Sequence, residues 1–494
     1  MEKIHEKTDH HSDSAAAEMI DPEAGLKGKM LAAARFFGIE MEAIEPVAME
    51  QKTDRHYFKV FTLWFTMNFS LIGISTGMSG PLAFGLGLRD SSLTILFFGL
   101  LTCIPASFLS TFGAQLGLRQ MTHARYSFGA YIIAIPILLN AATLTGYAIV
   151  GYILGAQALV AIHPSDLSID GGIVIIAIIT LIIVIFGARV IHWFDLYAWF
   201  PTLVALIVAL GYSGHHLKDQ VSYPDATGPL VLTYGCLVAG FFLPWSAIAS
   251  DFTVYFDPRC SKTMIFCQSY FGLVIGGLPC MILGAAIGGA VPNVASWQAG
   301  YDATSVGGVL GAMLAPAGGG GKFLLFVLAM SVMGNAAGTL YALTINVQAL
   351  VAMAWRSVHR IVFQLILTGI IIGVSIKAAE SFLDSLNNFL GIIAYWPAPF
   401  MVVIVLEHFV IRKGRLDNYN LAAWDTPKEL PAGVAAIVAG VLSVALIVPC
   451  MDQIWYVGPI AKKTGDIGFE MAFVVTAIFY VPLRKWEIRR QGRV

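Results

Sequence analysis

The residues best suited to binding a small molecule follow an interruption in a long apolar run. The run begins near Pro229 and is long enough to cross a bilayer, which takes about 20 apolar residues. Gly240 and Pro244 lie within it, and a proline removes one helical hydrogen bond and clashes with the preceding turn. Trp245 and Ser246 follow directly and offer an aromatic face and a hydroxyl group. Because a freed backbone group is costly in lipid, we interpret this broken segment as a non-covalent binding site at mid-membrane.

A second interrupted run lies nearer the start of the chain. The apolar segment 60–86 contains three glycines and a proline within residues 73–81, which predicts a break there. Ser70, Ser75 and Thr76 border this stretch, and their hydroxyls either bond freed carbonyls or contact a ligand or cation. Two interrupted segments at matching places in two halves of a chain indicate the binding site of a secondary transporter.

Composition excludes several classes of protein. The 494 residues are 57% hydrophobic and 12% charged, whereas soluble domains are about 25% charged, so this is a polytopic membrane protein. A net charge of -1 argues against nucleic acid as a partner. No paired cysteines or acidic and histidine cluster has the spacing of metal ligands, so we expect no cofactor, no metal and no enzymatic activity.

Twelve predicted membrane spans must position these residues. We number them in chain order, with predicted bounds 60–86, 93–116, 128–161, 171–188, 196–213, 229–256, 264–291, 322–354, 360–377, 382–410, 432–450 and 468–483. The breaks then fall in spans 1 and 6. That placement suits two inverted five-span repeats, with spans 11 and 12 as an accessory pair. The long loop at 292–321 predicts a short lid helix near Thr304–Leu314.

Lysine and arginine predict the orientation. Eleven of them lie in the five loops on one side of the membrane and six in the six loops on the other, which places both termini in the cytosol. The predicted domains are a partly disordered cytosolic arm at 1–57, a transport core at 58–410, a cytosolic loop at 411–431, accessory helices at 432–483 and a cytosolic tail at 484–494. Within the arm, 26–39 is either a short interfacial helix or part of a solvated segment.

Sequence motifs extend this interpretation over nearly the whole chain. They are Gly38-Ile39, Ile44-Glu-Pro-Val47, Lys52-Thr-Asp54, Phe112-Gly-Ala-Gln-Leu-Gly-Leu-Arg-Gln-Met121 with Arg125-Tyr126, Ser250-Asp-Phe-Thr-Val-Tyr255, Glu407-His-Phe409, Trp424-Asp425, Leu430-Pro431 and Gly465-Asp-Ile-Gly-Phe-Glu470. With these motifs the chain resembles the fungal purine–cytosine permeases of the nucleobase:cation symporter-1 family. The resemblance implies an all-α, LeuT-like fold of twelve helices with a five-plus-five inverted repeat. It also implies a proton-coupled plasma-membrane importer of cytosine and purines.

The resemblance also implies a set of substrate-binding positions. The family's Asn-Asn-x-Pro-Asn run on span 8 corresponds here to Asn335, Ala336, Ala337, Gly338 and Thr339. Its aromatic residue and asparagine on span 3 correspond to Tyr147 and Gly151, and its span-6 tryptophan is Trp245, with Ser246 beside it. Ser75 on span 1 completes the predicted set.

Several of the family's amide side chains are missing at these positions. Tyr147 and Trp245 still supply two flat faces for a heterocycle, but only Asn335 keeps an amide that both donates and accepts hydrogen bonds. A site that hydrogen-bonds its ligand rejects an analogue lacking those groups, so the lost amides should change substrate choice. A vitamin B6 vitamer, a bulkier nucleobase analogue or a nucleoside is therefore an alternative substrate. A membrane receptor is a further alternative, although it would need a large cytosolic domain, and neither polar end segment is long enough for one.

Ionisable residues in the spans suggest a gate but not a proton carrier. Asp251 ends span 6 on the cytosolic side and either reaches headgroup water or pairs with Arg119, Arg125 or Arg189 as an inner gate. Glu407 and His408 near the inner end of span 10 precede Arg412, which favours a snorkelling ion pair. No other carboxylate is plainly at mid-membrane, so the sequence assigns no carrier for the coupling proton.

Overall fold

Long apolar helices dominate the part of the chain that the computed structural model describes, residues 45–352 and 360–494. Seven helical stretches in this part are long and apolar enough to cross a membrane, and one bent pair makes an eighth. Two of the seven, Ala295–Val351 and Arg360–Ile411, contain 57 and 52 residues and are too long for a single crossing, which takes about 20. The predicted interfacial segment 26–39 lies outside the described residues.

The predicted spans match helices of the structure. Spans 1 to 6 are Phe58–Asn68 with Leu71–Phe84, Leu88–Leu116, Ala134–Val160, Ile169–Ile185, Ala188–Tyr197 with Trp199–Ser213, and Gly228–Phe242 with the 3-10 turns Leu243–Ala247 and Ala249–Phe252. Spans 7 to 12 are Lys262–Ala290, Gly318–Met330 with Val332–Ala352, Arg360–Ala378, Phe382–Ile393 with Pro397–Leu406 and the π-turn Glu407–Ile411, Val434–Cys450 and Gly468–Gln491.

Shorter elements connect the spans. The helices are Gln120–Phe128, Ala295–Leu314 and Ala461–Thr464, and strands β1 (Asp452–Gln453) and β2 (Tyr456–Val457) form an antiparallel hairpin. The remaining 3-10 turns are Met49–Gln51, Gly214–Lys218, Val291–Asn293, Ala315–Ala317, Ala379–Ser381, Leu416–Asn418 and Leu421–Ala423.

Span 1 is broken, but not where the sequence predicts. Its two helices bend by 49° at residues 69–70, and Ser70 has the extended angles φ -150° and ψ 174°. The predicted break at 73–81 is wrong, because these residues form one continuous helix. Their glycines serve helix packing instead: a Cβ on Gly77 would lie 1.9 Å from the carbonyl oxygen of Met281 on span 7.

A side chain from span 6 compensates for the proline in this helix. Pro81 cannot donate a hydrogen bond to the carbonyl of Gly77, one helical turn earlier. The hydroxyl of Tyr234 lies 3.4 Å from that carbonyl oxygen and 3.3 Å from the one of Thr76, and donates there. The helix therefore continues through the proline because a neighbouring span satisfies the freed carbonyl.

The predicted lid helix is the second half of a longer helix. Ala295–Leu314 is kinked at Thr304 and Ser305, and Ser305 has a positive φ of 48°. Beyond the kink the helix packs tightly on span 3, since a Cβ on Gly307 would lie 2.3 Å from the backbone of Gln157. In this structure the predicted lid segment is therefore packed against span 3.

The described part of the N-terminal arm is attached to the loop after span 6. The backbone N–H of Asp54 donates to Tyr255, and that of Asp257 donates to Asp54. Arg55 and Arg259 also hydrogen-bond the Asp257 carboxylate, at 2.6 and 3.2 Å from its Oδ2. The Arg259 N–H and these guanidinium groups hold the pKa of Asp257 well below its ordinary value.

The inner end of span 10 carries a buried ion-pair network. Glu407 is 1% exposed and lies 3.1 Å from Arg412 and 3.0 Å from Arg484 of span 12. The Tyr480 hydroxyl donates to the same carboxylate at 2.7 Å. The predicted ion pair with Arg412 is present, but snorkelling is the wrong description, because the charges are buried between spans 10 and 12.

Candidate functional site

Two aromatic rings stack directly on one another at the break in span 6. The ring centroids of Tyr147 and Trp245 are 4.6 Å apart, with 22° between the ring planes, and both side chains are fully buried. Tyr147 also holds the break itself. Pro244 leaves the Gly240 carbonyl without its helical donor, and the Tyr147 hydroxyl donates to that oxygen at 2.7 Å and to the Phe241 oxygen at 2.8 Å.

Further aromatic rings enclose this pair. The Trp64 ring of span 1 lies 6.1 Å from Trp245, and the Phe389 ring of span 10 meets Tyr147 edge-on at 5.3 Å. A planar ligand between Tyr147 and Trp245 needs roughly 7 Å between the rings, since each stacked contact takes about 3.5 Å. The structure therefore shows the two faces closed on each other.

Several buried polar atoms at the two breaks have no hydrogen-bond partner among the described residues. They are Trp245 Nε1, Ser246 Oγ, Ser70 Oγ, Ser75 Oγ, Trp64 Nε1 and Asn68 Oδ1. A buried polar atom without a partner is costly, so such atoms are rare in folded proteins. Other such atoms lie elsewhere in the spans, but the six near the breaks provide hydroxyl, amide and indole groups for a polar ligand. Ser75 and Ser246, both predicted site residues, are in this set.

Asn335 links span 8 to span 1 beside the break. Its Nδ2 donates to the Met67 carbonyl at 3.0 Å, and its Oδ1 accepts from the Thr339 hydroxyl at 3.3 Å. These bonds leave one N–H and one lone pair of the amide for a ligand. Asn335 thus has a structural role between helices, whatever its contact with substrate.

Two positions that lack the family's asparagine face each other. A Cβ on Gly151 would lie 3.9 Å from the Ala336 Cβ and 3.7 Å from Ile72 of span 1. Gly338 faces span 1 instead, since its Cβ would lie 2.8 Å from the Met67 side chain. The asparagines missing at 151 and 336 would therefore lie side by side between spans 3 and 8.

The break in span 6 is packed on its outer side. A Cβ on Gly240 would lie 1.8 Å from the Leu390 carbonyl oxygen, so spans 6 and 10 touch through their backbones. Beyond this contact lies a cavity of about 660 Å³, lined in part by Thr233, Asn387 and Asp452. In the predicted orientation this cavity opens towards the outside.

The inner side of the break is packed as well. The Asp251 carboxylate accepts the backbone N–H of Gln120 at 2.7 Å, and the Arg119 guanidinium donates to the Asp251 carbonyl at 3.2 Å. Of the three arginines predicted as partners of Asp251, Arg119 is therefore the one that contacts it. Arg125 pairs with Asp425 at 2.9 Å, and the side chain of Arg189 is outside the described part.

Sequence analysis missed one buried carboxylate. Asp195 lies in the first helix of span 5, one residue before the predicted start of that span, and is fully buried. Its backbone carbonyl accepts the Thr66 hydroxyl of span 1 at 2.7 Å. The only signal in the sequence was an acidic residue at the edge of an apolar run, which is common at helix ends.

Comparison with known proteins identifies the family. Residues 46–470 match the model of a family described as permease for cytosine/purines, uracil, thiamine, allantoin. The chain belongs to this family. It is 34% identical to the purine-cytosine permease fcyB of Emericella nidulans, over 99% of this chain and 97% of the relative. It is 25% identical to the vitamin B6 transporter TPN1 of Saccharomyces cerevisiae, over 98% and 92%.

The fold agrees with this permease family. The structure matches Mhp1, a nucleobase-cation-symport-1 family transporter solved in a closed conformation with bromovinylhydantoin bound, with a TM-score of 0.71. The match covers 91% of this chain and 96% of Mhp1, at 16% identity. The protein is therefore a multi-pass membrane transporter with a LeuT-like fold, and its family comprises permeases and not enzymes.

Proposed function

We propose that this permease imports a planar nitrogen heterocycle of the nucleobase class, driven by protons. The observation that carries the proposal is the Tyr147–Trp245 pair at the span-6 break, near buried polar atoms that have no partner among the described residues. Aromatic faces stack on a heterocycle, and the polar atoms suit its donor and acceptor edge. The printed name of fcyB, a purine-cytosine permease, supports the same substrate class.

The mechanism proposed is alternating access around this site. Spans 1 and 6 break next to the site, and one bundle of spans rocks against the other so that the site faces each side in turn. The Gly240–Leu390 contact closes the outer path, and Asp251 with Gln120 and Arg119 closes the inner one. Asp251 then acts as a gating residue. We further propose twelve crossings, two inverted five-span repeats, cytosolic termini and a plasma-membrane location, which the positive-inside asymmetry supports.

A vitamin B6 vitamer is a second candidate substrate. TPN1 is named a vitamin B6 transporter, and the small residues Gly151 and Ala336, where the family carries asparagine, favour a ring with larger substituents than cytosine carries. Nucleobases remain the first proposal because the relative with the higher identity and coverage is a purine-cytosine permease.

Uptake into proteoliposomes tests the proposal. Labelled hypoxanthine should accumulate when the outside is acidic, and a protonophore should abolish the accumulation. Unlabelled cytosine, adenine, pyridoxine and a nucleoside then compete in turn. Competition by pyridoxine alone would replace the nucleobase with the vitamin, and accumulation driven by sodium but not by protons would refute the proton coupling. Binding of these ligands without uptake would indicate a receptor.

The facing positions 151 on span 3 and 336 on span 8 offer a test of substrate specificity. Gly151→Asn combined with Ala336→Asn restores two amides at facing positions, and should shift preference towards cytosine and hypoxanthine. Gly151→Ala with Ala336→Val is the control, because it enlarges the same two side chains without adding donors or acceptors. Equal competition profiles in both double variants would mean that these positions do not contact the substrate edge.

A further inference from the structure

A buried carboxylate lies against the two spans that form the substrate site. Asp195 of span 5 approaches Gly334 of span 8, where a Cβ would lie 3.0 Å from the Asp195 Oδ1. The Thr66 hydroxyl of span 1 donates to the Asp195 backbone carbonyl at 2.7 Å. The absence of a side chain at Gly334 therefore allows the carboxyl group to reach the junction of spans 1 and 8.

The Asp195 carboxyl group is buried and unbonded within the part of the chain that the structure describes. The residue is 0% exposed, and neither carboxylate oxygen has a hydrogen-bond partner in the described part of the chain. An ionised carboxylate buried without a partner costs far more than a neutral one. The carboxyl group in this closed arrangement therefore carries a proton or holds a cation. An ionisable residue inside the membrane is a functional candidate for the same reason.

Among the described side chains, no charged group on the neighbouring helices forms an ion pair with Asp195. The titratable residues on the four helices packed closest to it are Lys59, Asp170, Tyr212 and Tyr341. Lys59 pairs with Asp54 at 2.6 Å, and Asp170 and Tyr212 are exposed. The guanidinium groups of Arg119 and Arg360 lie over the Tyr341 ring. On its own helix Tyr197 is exposed, and the side chains of Arg189 and His192 are outside the described part.

The same two spans connect Asp195 to the substrate site. Thr66 precedes Met67, whose carbonyl accepts the Asn335 amide, and Gly334 precedes Asn335. One junction of spans 1 and 8 therefore carries the Asp195 contacts on one side and the Asn335 contact on the other. A movement of span 1 against span 8 changes both at once, and a shared two-state element of this kind couples two binding events.

We propose that Asp195 binds the proton that drives transport. This inference rests on the proposed proton-coupled import. The ionised carboxylate takes a proton from water on the outer side when the site is open there, and the neutral carboxyl group is buried as spans 1 and 8 close around substrate. After the inner side opens, the same proton passes to cytosolic water, and the carboxylate is restored.

The Asp195→Asn substitution separates proton coupling from substrate transport. In proteoliposomes, Asp195→Asn should lose accumulation above equilibrium under an acid-outside gradient, whereas the wild type reaches up to about tenfold for a one-unit gradient and one proton. Exchange of labelled for unlabelled hypoxanthine without a gradient should persist and become independent of pH. Asp225→Asn is the control, since Asp225 is exposed in a loop, and it should behave as wild type.

The outcomes distinguish this inference from the proposed function. Wild-type accumulation that follows sodium and ignores the pH gradient refutes proton coupling, and the role of Asp195 with it. A wild type driven by protons together with an Asp195→Asn variant that accumulates equally overturns only the inference. If Asp195→Asn loses exchange as well, the Asp195→Glu variant tests whether the ionisable group itself is required. Its ionisable group should restore both accumulation and exchange, and failure to restore accumulation overturns the inference.

Discussion

At the scale of single residues, the ring of Trp245 is the centre of the account. Trp245→Ala removes one stacking face, and base–aromatic stacking is worth about 1–3 kcal/mol per base. We expect the apparent affinity for hypoxanthine to fall by roughly 5- to 150-fold, since 1.4 kcal/mol is about tenfold. Trp245→Phe should lose less because it keeps a smaller ring.

Trp455→Ala is the matched control, because this tryptophan is exposed in the turn between β1 and β2. Binding isotherms of the three purified variants give the comparison. An affinity of Trp245→Ala equal to that of Trp455→Ala would contradict the stacking role.

Other residues show what the sequence could reveal about the site and what it could not. Trp245 was predictable, because Pro244, directly before it, lies within an apolar run and marks a break from sequence alone. Asn335 was predictable only as a motif position, since its bonds to Met67 and Thr339 depend on the packing of span 1. Asp195 was missed because its isolation is a property of its neighbours, not of its own segment.

At the scale of elements, Pro81 of span 1 and Pro244 of span 6 each depend on a tyrosine from another span. Tyr147 satisfies the carbonyl freed by Pro244, and Tyr234 the one freed by Pro81. These partners are 93 and 157 residues away from the carbonyls they bond, so no local pattern reveals them. This explains why glycine and proline predicted the break in span 6 correctly but misplaced the one in span 1, where a real bend follows Asn68 without any proline.

The Tyr147 hydroxyl should therefore matter for stability apart from its ring. Tyr147→Phe keeps the stacking face but leaves the Gly240 and Phe241 carbonyls without this donor, and an unsatisfied buried acceptor costs about 1–3 kcal/mol. We expect a lower unfolding temperature in detergent, with ligand stacking largely retained. Tyr131→Phe is the control, since Tyr131 is 69% exposed. Equal melting of the two variants would show that the hydroxyl does not support the break.

The inner end of span 6 should control the change between states. Asp251→Asn weakens the acceptor for the Gln120 N–H, the contact that we propose closes the inner path. We expect uptake to fall more than binding, because the substitution changes an equilibrium between states and leaves the rings in place. Asp417→Asn, at an exposed position between spans 10 and 11, is the control. Unchanged uptake by Asp251→Asn at equal surface expression would refute the gating role.

At the scale of the whole molecule, a buried network joins span 10 to span 12. Arg484 of span 12 donates to both oxygens of Glu407 at 3.0 and 3.1 Å, and removing one partner of a buried pair costs about 3–5 kcal/mol. Arg484→Met should therefore lower the unfolding temperature strongly. Lys485→Met, its exposed neighbour, should not. A similar melting temperature for the two variants would mean that span 12 is not held by this pair.

The central claim concerns where the substrate binds, and a structure with bound hypoxanthine or cytosine tests it most directly. The measurement is the distance between the ring centroids of Tyr147 and Trp245, which is 4.6 Å when the faces are closed on each other. With the base between them, we predict that the rings separate to roughly 7 Å, which is two stacked contacts. Rings that remain in contact while the base binds elsewhere would contradict the account.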